Sequence, residues 1–349
     1  MATNTIQRLM QQPIANHDVA WLQDSLQAAI QLELATLPPY LSALFSIADQ
    51  GSTAFSLIND IVFNEMTHFG LACNLLAATG AQPTIVDGYR KTVYPGPLPG
   101  GVRPKCDDTF LPFFKCDPDF KVVLGFNDLK SFAKMAMQIE YPEDPVPRPA
   151  ALALGETFPS IGEFYKAVKE AFTSNTAKLP YTTAKQLTKP RMDVTIVSDL
   201  ASAVTAIDLI RGEGEGSSKT PFFKGKLSHF YAFGELFRGH AFVFDEKTQT
   251  GDWTGAAIPP VALANMTPIP LGGYPNPATA VVAPLSTCDQ TFTDMLTALD
   301  AAWANGSAAS LGAAIGSMGD LGASARALLG SAIARTDAPG IYGPQFRLK

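Results

Sequence analysis

The chain has 349 residues, 46% of them hydrophobic and 17% charged, so it has the composition of a folded globular protein with a sizeable core. Its formal charge is −6 and no Lys/Arg cluster occurs, which argues against nucleic acid or an anionic membrane surface as a partner. The four cysteines, Cys73, Cys106, Cys116 and Cys288, make neither a disulfide framework nor a C-x-x-C pair.

The N-terminal segment has no apolar run, and no stretch reaches the ~18 uninterrupted apolar residues of a membrane span. A reducing, cytoplasmic setting is the expectation. Residues 19–37 read as a helix, with Leu22, Leu26, Ile30, Glu33 and Leu37 on one face, Asn16 or Asp18 as its cap, and Pro38-Pro39 as its end. Residues 54–78 read as a second helix, with a stripe of Ile58, Ile61, Val62, Phe69, Ala72 and Leu76 and a stop at Gly80. Residues 83–122 are rich in Pro and Gly and read as a long irregular connection. Helical periodicity returns at 126–140 and ends in a proline cluster. Further helices are expected at 160–173, at about 192–213, where the RGEGEG glycines break the pattern, and at 226–240. Residues 250–285 read as irregular. Two helices, 286–305 and 308–334, close the chain, the second rich in Ala and Gly. The four main helices are expected to pair as 19–37 with 54–78 and 126–140 with 192–213.

Three glutamates stand where an apolar side chain belongs. Glu65 lies in the middle of the stripe of its helix, and His68, three residues on, shares its face. A buried carboxylate is costly unless it is paired, protonated or bound to a metal. Glu33 occupies the core face of the first helix, where a Tyr or an Arg is the ordinary way to satisfy it. Glu140 ends the 126–140 helix just ahead of prolines, as Glu33 does, which hints at a duplicated helix pair. Glu65–His68 is the only E-x-x-H in the chain. Where a second is expected, Glu213 and Glu215 occur in RGEGEG and His229 follows 16 residues after Glu213. This reads either as a flexible acidic loop or as a helix opened by an insertion with glutamate and histidine kept on either side, and Glu213 is favoured over Glu215 as a metal ligand. Glu163 fits a capping box with Ser160, a helix-starting role that outranks metal binding.

Carboxylates and imidazoles from four helices are the donor set of dimetal carboxylate bundles. Such hard and borderline donors suit iron, two ions foremost, with manganese as the alternative. GEGEGSSKT is not a phosphate loop, because Ser218 precedes Lys219 and two glutamates would repel phosphate. No G-x-S-x-G elbow exists for a serine hydrolase.

The motifs LELATLPPYLSAL, EMTHFGLACNLLAATG, IEYPEDP, RGEGEG followed by SHF, and the terminal YGPQFR span about residues 20 to 346. Together, in this order, they resemble the ferritin-like domain of iminophenyl-pyruvate dimer synthases, the violacein- and rebeccamycin-type synthases. The resemblance implies a mainly α protein, a ferritin-like four-helix bundle with long irregular loops and a C-terminal helical extension. Residues 1–245 would form the bundle, and 246–349 a Pro/Gly-rich connection with helices packed on it. It further implies a metal site and a place in secondary metabolism. The leading expectation is a non-haem diiron, or mononuclear iron, oxidoreductase in which Glu33, Glu65, His68, Glu140, Glu213 and His229 hold the metal. Dioxygen and a small, amino-acid-derived metabolite would be its reactants, with no catalytic group beyond the ligands. The alternative is a metal-free or iron-sequestering bundle with no organic substrate.

Overall fold

Most of the long helices begin where a short polar side chain takes up a free amide. In the computed structural model, which describes residues 5–99, 120–142, 160–189, 192–214, 216 and 220–349, Asp18 accepts the Trp21 amide at the start of α2 (Val19–Ser46), after a short α1 (Thr5–Met10). Ser52 does the same for α3 (Thr53–Ala78), and Asp128 for α5 (Leu129–Ile139), which follows the single turn α4 (Val86–Tyr89). At α6 (Ile161–Asn175), Ser160 and Glu163 exchange hydrogen bonds in the expected capping box. Asp199 accepts the Ser202 amide to open α7 (Leu200–Gly214). This helix therefore starts eight residues later than its periodicity predicts, because residues 192–199 are irregular and Val194 bridges to Lys189.

The prolines at 38 and 39 do not end α2. The helix runs on to Ser46, and every residue from Leu32 to Ser46 is buried. Pro39 removes the donor that would reach the Ala35 carbonyl, and the Tyr94 hydroxyl supplies it instead, at 2.6 Å. A helix buried on all sides is held by packing more than by local propensity, so the prolines are tolerated.

Helices α2 and α3 pack along each other. Opposite them, α5 pairs with α8 (His229–Arg238) and α6 with α7. Since α2 touches both α5 and α6, and α3 touches both α7 and α8, the bundle has four positions, two of them filled by interrupted helices. The expected pairing of 126–140 with 192–213 is thus corrected: the partner of 129–139 is 229–238. The cause is the interruption of the fourth helix, which places its second half, not its first, beside α5.

The interruption carries a small hairpin, β1 (Phe222–Phe223) with β2 (Lys226–Leu227). A second hairpin, β3 (His240–Asp245) with β4 (Thr250–Ala257), follows α8. The pattern at 226–240 predicts helix up to residue 240, and 250–257 reads as irregular, so both hairpin strands depart from the expectation. The alternation of Phe242 and Phe244, and of Gly251 and Trp253, was masked by glycines and threonines. Phe242 pairs with Trp253, whose indole donates to the Tyr231 carbonyl at 2.9 Å. Gly234 permits this approach, since a Cβ there would lie 2.3 Å from the indole ring.

Helices α9 (Thr279–Asn305) and α10 (Ala308–Gly330) form a long antiparallel pair laid against the bundle. Helix α9 begins seven residues before the expected 286 and holds Pro284 at its sixth position, so it forgoes the amide that would reach the Ala280 carbonyl. The Trp303 indole donates to Asn74 of α3, and Arg326 stacks over Phe45 of α2. Of the α10 glycines, Gly322 abuts Phe45 while Gly312, Gly316 and Gly319 face open space, so close packing is confined to one of them. The terminal segment returns to the core: Tyr342 and Phe346 are buried, and the Tyr89 hydroxyl donates to the Phe346 carbonyl. Among the described residues no helix is long and apolar enough to cross a membrane.

Candidate metal centre

The core of the bundle contains what a core normally excludes. Glu33, Glu65, His68, Glu140 and His229 are all at most 6% exposed. Helix α2 supplies Glu33, α3 supplies Glu65 and His68, the C-cap of α5 supplies Glu140, and the first residue of α8 supplies His229. Their side chains meet in two groups. Glu33, Glu65 and His68 each bring one donor atom within 4.8 Å of the others, and so do Glu65, Glu140 and His229. Glu65 belongs to both.

The two histidines present the same atom. His68 Nδ1 is 3.8 Å from Glu33 and 3.7 Å from Glu65, while His229 Nδ1 is 2.9 Å from Glu65 and 3.6 Å from Glu140. The rings lie 5.5 Å apart and nearly parallel. Neither nitrogen of His229 has a hydrogen bond of acceptable geometry, although both are buried. Such an orphan is rare in a core. Together with three clustered carboxylates, it fits a site built for cations.

Three hydroxyls hold the carboxylates. Thr36 donates to Glu65 at 2.7 Å, Tyr40 to Glu140 at 2.5 Å, and Tyr165 to Glu33. The sequence reading allowed a tyrosine beside Glu33 without naming it. Tyr40 had a detectable signal, since it lies seven residues, two helical turns, after Glu33 on the same helix. Tyr165 had none, being brought in from α6 by the tertiary fold.

Without a cation, protons balance the charge. Burial, reinforced by the charge of Glu65, pushes Glu33 up to about 8. Glu140 is raised for the same two reasons. Burial would also raise Glu65, but His229, then His68 and Thr36, hold it below the ordinary carboxylate value. Burial disfavours the imidazolium form of His229, yet the carboxylates of Glu140 and Glu65 raise it to about 10. His68 is raised against burial by Glu213 first, then by Glu65 and Glu33. Perturbations of this kind concentrate at functional sites.

Of the residues expected at the metal, the structure brings five together and leaves Glu213 outside both groups. Its carboxylate accepts from His68 Nε2 at 2.9 Å, on the nitrogen turned away from the cluster. There it fixes the ring orientation with Nδ1 toward the other donors, as an outer carboxylate does for a metal-binding histidine. Helix α7 ends at Gly214, one residue further on, whose Cβ position lies 3.7 Å from Glu140. Glu163 is committed to its capping box. Glu215, Cys106 and Cys116 lie outside the described residues.

A four-position helical bundle whose elements converge on a buried, symmetric carboxylate–histidine cluster defines a class of protein placed to bind metal ions in its core. The Ferritin-like family profile matches residues 26–238, the span from α2 to the end of α8. The chain belongs to the ferritin-like family. A solved ferritin-like protein from Caulobacter vibrioides shares the fold at TM-score 0.62 and 24% identity, over 93% of this chain and 96% of that one. No curated protein matches the sequence.

Proposed function

We propose that the bundle holds two metal ions, iron foremost, and works as a non-haem oxidoreductase that uses dioxygen on a small organic metabolite. The observation that carries this reading is the pair of three-residue groups sharing Glu65. One cation would be satisfied by either group alone, whereas two overlapping groups of the same composition suit a pair of ions bridged by Glu65. Glu33 and His68 would hold one, Glu140 and His229 the other. Iron in such a site supplies the electrons that dioxygen reduction needs, which calcium, magnesium or zinc cannot.

The protein's own residues set the conditions. Tyr165, Tyr40 and Thr36 orient the three carboxylates before a cation arrives. Glu213 keeps His68 Nδ1 aimed inward. On metal entry Glu33 and His229 give up the protons that burial and neighbouring charge assign them. The apolar residues around the cluster keep bulk water away. The motif likeness to iminophenyl-pyruvate dimer synthases extends the reading to an amino-acid-derived substrate in secondary metabolism.

The test is the metal content of protein exposed to ferrous iron without oxygen, followed by oxygen uptake when air is admitted. Two irons per chain and uptake of oxygen support the reading, and both are expected to disappear in Glu65→Ala. No bound metal in the unaltered protein would turn the reading into that of a metal-free bundle.

A further inference from the structure

The cluster itself leaves about 20 Å³ of free space, room for single atoms but not for an organic molecule. If the dimetal reading holds, on which this inference rests, the organic reactant must approach from elsewhere. On the opposite side of His229 lies a cleft of about 540 Å³, a volume typical of sites for small molecules. Its walls are the outer face of α3, the β1–β2 hairpin, the end of α7 and the start of α8. His229 is 1% exposed, lines this cleft, and has no hydrogen bond on either ring nitrogen. The cleft therefore reaches the carboxylate–histidine cluster at His229, whose Nδ1 lies 2.9 Å from Glu65 and whose Nε2 is buried with no hydrogen bond.

The lining is apolar in body and negative in charge. Phe63 is 49% exposed, and Phe223 and Leu227 line the same cleft from the hairpin side. Four carboxylates line the space, Asp60, Asp193, Glu213 and Glu235, against two lysines, Lys224 and Lys226. Both lysines are tied up: Lys224 pairs with Asp193 and Lys226 with Asp60, each at 3.2 Å. Both lysines of the described lining are thus paired with carboxylates, and Glu213, which accepts from His68, and Glu235, which accepts the Phe242 amide, bring the carboxylates to four against two lysines.

We propose that this cleft is the site of the organic reactant and that it takes a small organic cation, an amine with an apolar or aromatic body, its ring against Phe63. The ammonium group is favoured by the surplus carboxylates and the apolar part by the phenyl and aliphatic wall.

Two probes with the same phenylethyl body and opposite charge test this, 2-phenylethylamine and 3-phenylpropionate. Each is titrated by calorimetry into cobalt(II)-treated and metal-free protein, with metal content measured on the same samples. The amine is expected to saturate and to bind about tenfold or more tighter than the carboxylate, about 1.4 kcal/mol. Phe63→Ala, at an exposed position, should weaken the amine about tenfold and leave metal content unchanged. Ala232→Trp, which fills the cleft, should abolish amine binding, and if it does not fold, Phe63→Ala decides. Equal affinity for the two probes, tighter binding of the carboxylate, or an unchanged affinity in Phe63→Ala overturns the inference. The metal measurement reads the dimetal assignment separately, and the titration of metal-free protein reads the cleft even if that assignment fails.

Discussion

Glu65 and Glu33 differ in one respect that substitution can expose. Glu65 belongs to both donor groups and Glu33 to one. Glu65→Ala is therefore expected to remove both ions, whereas Glu33→Ala should leave one, held by Glu65, Glu140 and His229. Elemental analysis after ferrous loading distinguishes the two, and equal loss from both variants would contradict a bridging Glu65. Glu213→Gln belongs to the same scale. It keeps an acceptor for His68 Nε2 but removes the charge, so metal is retained with an affinity about ten- to a hundredfold weaker, as for other outer partners of metal-binding histidines. These residues were legible in the sequence because charge at an apolar position is an anomaly that needs no fold to detect. Glu213 was legible as a participant but not in its role, since only the end of α7 determines which atom of His68 it meets. Tyr165 was illegible, as nothing local links residue 165 to residue 33.

At the scale of the element, the instructive case is α2. Pro38 and Pro39 read as a stop, yet the helix continues because a side chain 59 residues away replaces a backbone donor. Breaking that replacement should cost stability. Tyr94→Phe leaves the buried Ala35 carbonyl unsatisfied, a loss of about 1–3 kcal/mol measurable by urea unfolding. Pro39→Ala restores an amide in position to reach the same carbonyl, so in that background the cost of Tyr94→Phe should fall well below its value in the unaltered chain. A cost that is the same in both backgrounds would show that the hydroxyl does not compensate the proline. Helices α3, α5 and α6 were legible to within a few residues, because caps and stripes agree there. The fourth bundle position was not, because the chain leaves the helix at 214 and re-enters it at 229, and periodicity cannot bridge an insertion that folds as a hairpin. The same limit hid β3 and β4, whose alternation is diluted by Gly and Thr.

At the scale of the whole molecule, the cluster joins α2, α3, α5 and α8, so what binds there is linked to the folding of the entire bundle. The stability advantage of the metal-bound over the metal-free protein should grow as pH rises. In the metal-free state the folded chain holds protons more tightly than the unfolded chain. Glu33 moves from 4.5 to about 8 and His229 from 6.5 to about 10. A group raised on folding adds stability that is complete below its unfolded value and lost as pH rises through its folded value. Between about pH 6 and about pH 8 the metal-free protein should thus become less stable, Glu33 losing its proton and His229 beginning to lose its advantage. Metal binding must displace those same protons, so its apparent affinity grows over the same interval. The gap in melting temperature between iron- or cobalt-loaded and chelator-treated protein is therefore expected to widen as pH rises. In Glu65→Ala, which lacks the shared donor, chelator should make no difference at any pH. Calorimetric melts of the four samples at about pH 6, 7 and 8 decide it. A gap that stays constant or narrows would mean that the buried protons and the metal do not compete for the same atoms, and the cluster would then be a structural feature of the core with no dimetal role.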